Sequence, residues 1–153
     1  PDRGAASIGV AGWRADGRRH LEVVDHRPNT DWVVGRLREL ERRWQPWPTV
    51  IDPGSPAGAL LVDLAAAGVA TETVSTREYA QSCGQFFDAV VEGKVRHLEQ
   101  PVLNLAVFAA RKRPLGDAWA WVRKTGADVS PLVSVTLAHY GLVKAGTGSV
   151  QIL

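Results

Sequence analysis

Methionine is absent from the sequence, and cysteine occurs once, as Cys83. A single thiol excludes an internal disulfide and a cysteine-built zinc site, and it fits a reducing compartment. Cys83 shares a helical face with Tyr79 and Phe87, the setting of a buried core thiol. Long apolar runs are missing too. The stretches Val102 to Ala110 and Ala57 to Val69 are broken by Gly, Asp or Asn and fall short of a bilayer span. No signal or transit segment is visible in these residues, nor an internal repeat, nor a Gly-x-x-x-x-Gly-Lys-Ser/Thr loop, so these residues carry no phosphate loop for ATP hydrolysis. With Pro first and no methionine anywhere, the sequence reads as a piece of something longer.

What is present suits one compact soluble domain. The 153 residues are 45% hydrophobic and 22% charged, enough for a real core. The net charge of +2 is modest but unevenly spread. Between positions 93 and 124, Lys94, Arg96, Arg111, Lys112, Arg113, Arg123 and Lys124 are set against only Glu99 and Asp117. Such a stretch suits a polyanion, or is simply a solvated basic surface.

Residues 7 to 13 and 19 to 25 look extended, with Asp16-Gly17 as the turn of an antiparallel hairpin. Thr30 opens a helix to about Trp44, whose Val33, Leu37, Leu40 and Trp44 form one apolar stripe. Thr49-Val50-Ile51-Asp52 reads as a buried-type strand, and Ser55-Pro56 starts a helix to Gly68. A strand at Val69 to Val74 follows, implying a parallel crossover. Ser75 and Glu78 form a capping box for a helix ended by Gly93. Pro101 opens another helix to about Arg111, and Asp117 to Arg123 alternates like a strand. Ser130 and Pro131 begin a last helix with Val133, Leu137 and Tyr140 on one stripe, and residues 145–153 read as a flexible tail.

Two carboxylates stand out against this order. Asp52 ends a buried-type strand, where ligands gather in α/β sheets, although an Asx turn before Pro53 accounts for it equally well. Asp128 precedes the last helix, where a plain cap would also put an Asp. If that helix crosses the same sheet, the two acids approach each other and need a cation between them. A hard, oxygen-loving ion such as Mg²⁺ or Mn²⁺ meets that need. Pairs of such ions about 4 Å apart serve in-line phosphodiester cleavage.

Several stretches, in order, resemble the nuclease domain of the large terminase subunit of tailed bacteriophages, a ribonuclease H-like family. They are residues 24–34 (VDHRPNTDWVV), 51–54 (IDPG), 79–84 (YAQSCG), 96–98 (RHL), 101–104 (PVLN), 113–121 (RPLGDAWAW) and 128–132 (DVSPL). The resemblance covers essentially the whole chain and is strongest toward terminases of phages that infect actinobacteria. It implies a single α/β domain over residues 1–153, a ribonuclease H-like mixed sheet flanked by helices, forming the C-terminal part of a longer ATPase-nuclease protein. The implied activity is that of a Mg²⁺- or Mn²⁺-dependent endonuclease, using two ions, that cuts concatemeric double-stranded DNA during packaging in the host cytoplasm. The implied partners are DNA, the portal, the small terminase subunit and an ATPase domain upstream, with no membrane involved.

Of the three metal-binding acids of that family, Asp52 matches the second and Asp128 the third. The first lies on the central strand, in a position that precedes a segment like residues 1–8. Asp2 is not its equivalent, so the central strand and its acid are expected to be missing here. Arg111, Lys112, Arg113, Arg123 and Lys124 are the candidate phosphate contacts. Trp119 and Trp121 either steer the duplex or pack a hairpin core. His97 is read as structural, with a leaving-group or phosphate role as the alternative. Two other functions remain in view: a catalytically incomplete module that binds DNA or docks on the portal, and another ribonuclease H-like nuclease such as a junction resolvase.

Overall fold

The computed structural model describes residues 4–44, 48–123, 127–146 and 150–152. Strand β1, Ala5–Trp13, and strand β2, Arg19–Pro28, form the expected hairpin, paired from Ala5↔Pro28 to Trp13↔Arg19. Its turn has the expected chemistry. Gly17 takes a left-handed φ of 83°, and Asp16 Oδ1 accepts the Arg18 N–H at 2.9 Å. The register shifts between Ile8, paired with Asp25, and Gly9, paired with Val23, so Val24 is the extra residue and the bulge lies in β2.

Helix α1, Val33–Trp44, buries Val33, Leu37 and Leu40 against Ile8, Val10, Ile51 and Leu64. Strand β3, Thr49–Ile51, is fully buried, and strand β4, Thr71–Thr73, runs parallel to it. The crossover between them is shorter than the sequence suggests. A 3-10 turn, Pro56–Leu60, leads into helix α2, Leu61–Ala66, and Ser55 does not cap it, because its hydroxyl donates to the Asp52 carbonyl at 2.7 Å. Helix α3, Thr76–Val91, begins with the full capping box of Ser75 and Glu78. Strand β5, Val95–His97, pairs parallel with β2; its three residues are too few for an alternation to betray it in sequence.

Helix α4 spans Pro101–Ala109, and strands β6, Lys112–Leu115, and β7, Ala118–Trp121, make a separate hairpin. Helix α5, Ser130–Ala145, is the core helix, buried along most of its length. With α3 and β7 it encloses the larger core around Tyr79, Cys83, Phe86, Trp121 and Leu132. Gly9 lets α5 lie this close to the sheet: a Cβ there would stand 2.8 Å from the backbone carbon of Ser134.

The main sheet has the order β4-β3-β8-β1-β2-β5, where β8 is Val150–Ile152. Here the sequence reading is corrected. Residues 150–152 are a strand of the sheet rather than part of a loose tail, and α5 reaches Ala145. The reason is the pair of facing edges: β1 and β3 both need a partner, and β8 supplies one, antiparallel to β1 through Val10↔Ile152 and parallel to β3 through Thr49↔Ile152. The place expected to lack a strand is therefore held by three residues from the other end of the chain.

Candidate active site

Asp52 follows β3 directly and turns into the Pro53-Gly54 corner, where its Oδ1 accepts the Gly54 N–H at 2.9 Å. This is the Asx turn that the sequence allows on equal terms with a ligand role. The carboxylate nonetheless carries a second partner: Oδ2 is paired with the Arg123 guanidinium. The side chain of Asp52 is only 12% exposed, so its charge is largely removed from water and requires a cation. Arg123 comes from the segment after β7 and lies 4.3 Å over the ring of Tyr79. Burial lowers its pKa from the usual arginine value. The sequence places Arg123 among the phosphate contacts, whereas here its guanidinium faces Asp52.

Asp128 lies one residue before Val129, the N-cap of α5, and its Oδ1 accepts the Ser130 N–H at 2.9 Å in an Asx turn at the helix entrance. Ser130 itself does not cap; it is the first residue of the helix, and its hydroxyl meets Ser7 Oγ at 2.8 Å. Asp128 Oδ2 stands 3.3 Å from His26 Nε2, and His26 Nδ1 is 2.7 Å from Ser7 Oγ. His26 and Ser7 escaped notice as site residues, because only the pairing of β1 with β2 makes them neighbours.

Asp52, Arg123 and Asp128, together with Ser7 and Ser130, line one cavity of about 460 Å³ between β1, β3 and the start of α5. The structure thus brings the two sequence-selected acids to a common space. Asp128 also borders a second hollow of about 650 Å³ with His26, Leu105, Phe108 and Arg111. The described residues contain no group of three His, Cys, Asp or Glu side chains able to hold a metal ion. They do offer two hard oxygen donors, one of them shielded from water and already paired with a cation, which is the chemistry a divalent ion would take over.

The basic candidates separate. Arg111, Lys112 and Arg113 are exposed at the start of the β6–β7 hairpin. Lys112 Nζ sits 3.7 Å over Phe87 and 4.3 Å over Trp119. Lys124 lies outside the described residues. Trp121 is buried and donates to Thr136 Oγ1 at 3.1 Å, with Trp119 edge-on to it at 4.8 Å, so the pair packs the hairpin. His97 is satisfied locally, with Nδ1 accepting the Glu99 N–H at 3.2 Å. Cys83 is fully buried, and burial raises its thiol pKa.

Comparison with protein-family models and with curated proteins gives no match. Among solved structures, the crystal structure of the large terminase nuclease from thermophilic phage G20c superimposes with a TM-score of 0.64, covering 88% of this chain and 81% of that one at 12% identity. The fold is that of a large-terminase nuclease. The same G20c nuclease with bound magnesium matches with a TM-score of 0.64 and 14% identity, over 89% of this chain and 79% of that one. The mixed sheet with helices on both faces is therefore the terminase-nuclease arrangement that the sequence resemblance implies. Among the described residues, no helix is long and apolar enough to cross a membrane.

Proposed function

We propose that the chain is the DNA-cleaving domain of a genome-packaging terminase, an endonuclease that hydrolyses phosphodiester bonds of double-stranded DNA with Mg²⁺ or Mn²⁺. One observation carries this reading: Asp52 and Asp128, which are 76 positions apart in the sequence, open onto the same cavity of a terminase-nuclease fold. A phosphate brought to two bare carboxylates would be repelled, by about 4 kcal/mol per charge pair at 4 Å and an effective dielectric near 20. Asp52 and Asp128 would hold the metal ions, which supply charge neutralisation and an activated water. The protein's own part is to fix those carboxylates, through the Gly54 and Ser130 N–H groups, and to bring the duplex to them.

Arg111 lines the hollow that Asp128 borders, and with its exposed neighbours Lys112 and Arg113 it would take phosphates on one side of the scissile bond. Arg123 would leave Asp52 for a phosphate once a metal neutralises the acid, and Lys124, its neighbour in the sequence, is proposed as a further phosphate contact. The portal, the small terminase subunit and an ATPase domain in the same polypeptide are the partners of this reading, and the host cytoplasm is its setting.

A second reading is favoured by the absence, among the described residues, of a third acid grouped with Asp52 and Asp128, and by β8 standing between β1 and β3. In it the chain as given binds DNA without cutting. Nicking of supercoiled plasmid in Mn²⁺ separates the two. The nuclease reading expects nicking that Asp128→Ala abolishes, and equal activity of the variant overturns it. Preference for four-way junctions over linear duplex would instead point to a resolvase.

A further inference from the structure

Both oxygens of Asp128 are engaged, by groups from two different elements. Oδ1 takes the Ser130 N–H at 2.9 Å, and Oδ2 faces His26 Nε2 at 3.3 Å. Behind His26 the contacts close into a ring: His26 Nδ1 lies 2.7 Å from Ser7 Oγ, and Ser7 Oγ lies 2.8 Å from Ser130 Oγ. The ring returns to Ser130, whose N–H began it. Ser7 and His26 are direct partners in the β1–β2 register, so one rigid hairpin fixes their spacing. Gly9, two residues beyond Ser7, admits α5 to the distance at which Ser130 can reach Ser7.

The Ser7 hydroxyl holds the Nδ1 side of the imidazole and the Ser130 hydroxyl holds Ser7, which fixes the plane of the ring and leaves Nε2 facing Oδ2 at 3.3 Å. Partners behind ligating groups orient them in this way in metal sites.

We propose that His26 is a positioning residue for the carboxylate of Asp128, locked by Ser7 and Ser130, and that it sets how that acid presents itself to a divalent cation, which rests on the nuclease reading above. The 40% exposure of the Asp128 side chain makes such a lock consequential. A half-exposed carboxylate would otherwise rotate freely between the two hollows that it borders. His26 supports no proton transfer to substrate in this role; it works through Asp128 alone.

Calorimetric titration of the full chain with MnCl₂ tests this without reference to cleavage. His26→Ala is expected to weaken Mn²⁺ binding by roughly 10- to 100-fold, the range known for partners behind metal ligands. Ser7→Ala is expected to weaken it less. His26→Gln, which can return an N–H donor to the Nε2 position, is expected to recover most of the affinity, an outcome that a merely structural role of the ring would not produce. Thermal melting of each variant identifies any that fails to fold, and His26→Gln and Ser7→Ala then decide. Unchanged Mn²⁺ affinity in His26→Ala, with Asp128→Asn strongly weakened, overturns the role of His26 and leaves the nuclease reading standing. Unchanged affinity in Asp128→Asn, or no Mn²⁺ binding by the unaltered chain, overturns both.

Discussion

Arg123 and Asp52 form a half-buried ion pair. The carboxylate is 12% exposed and the guanidinium 27%, so each loses much of its hydration, and their mutual attraction offsets that loss only in part. Replacing Arg123 by Leu strands the acid and is expected to cost about 2 kcal/mol, after allowance for residual solvent screening. In a chain of this size that is a fall in Tm of roughly 5 °C by calorimetry. Millimolar Mn²⁺ is expected to restore part of the loss in Arg123→Leu, more than it raises the unaltered protein. Equal metal effects in both would mean that Arg123 and the cation do not compete for Asp52. His139 makes a different residue-scale statement. It is buried beside Phe86 with no hydrogen-bond partner for either ring nitrogen among the described residues, and burial pulls its pKa down to about 4. The unfolded chain therefore takes up this proton at higher pH than the folded one. The stability involved is complete above pH 6.5 and is lost as pH falls toward 4, a decline of about 3 kcal/mol. Urea unfolding across that window is expected to follow this slope, and His139→Leu to flatten it.

Among the elements, those written by local chemistry were legible from sequence and those assembled at a distance were not. The turn at Gly17, the capping box of Ser75 with Glu78 and the apolar stripe of Val33, Leu37 and Leu40 depend on residues a few positions apart, and all appear where the spacing puts them. Asp52 and Asp128 were legible for a similar reason: a strand end and a helix start can be read locally. What brings them to one cavity, and what holds them there, could not be read. Ser7 and His26 lie 19 positions apart, and Ser7 and Ser130 lie 123 apart. β8 was hidden because three residues after a Gly- and Ser-rich stretch give no period to detect. Removing residues 150–153 is expected to strip hydrogen-exchange protection from the β1 amides that face β8 and to leave the β1–β2 ladder protected. Unchanged exchange at Val10 to Gly12 would show that β8 contributes nothing to the sheet. Gly9→Ala tests the seat of α5. Its Cβ would press on the Ser134 backbone, so we expect a destabilisation of about 1–3 kcal/mol and a larger loss in Mn²⁺ affinity than that figure explains.

At the scale of the whole molecule, β1, β3, α1 and the start of α5 form a frame around the cavity onto which Asp52 and Asp128 open. The fold matches the G20c terminase nuclease over 88% of the chain despite 12% identity. Shared architecture alone does not confer an activity. In the proposed function the weight falls on two acids at one cavity, a guanidinium drawn to one of them, and the exposed Arg111, Lys112 and Arg113. That account is tested most directly by incubating supercoiled plasmid with the protein in Mn²⁺, alongside Asp52→Ala and Asp128→Ala. Conversion to nicked circles that stops with chelator and with either substitution is the predicted result. Nicking that persists in both variants, or a complete lack of Mn²⁺-dependent cutting by the unaltered protein, would contradict it.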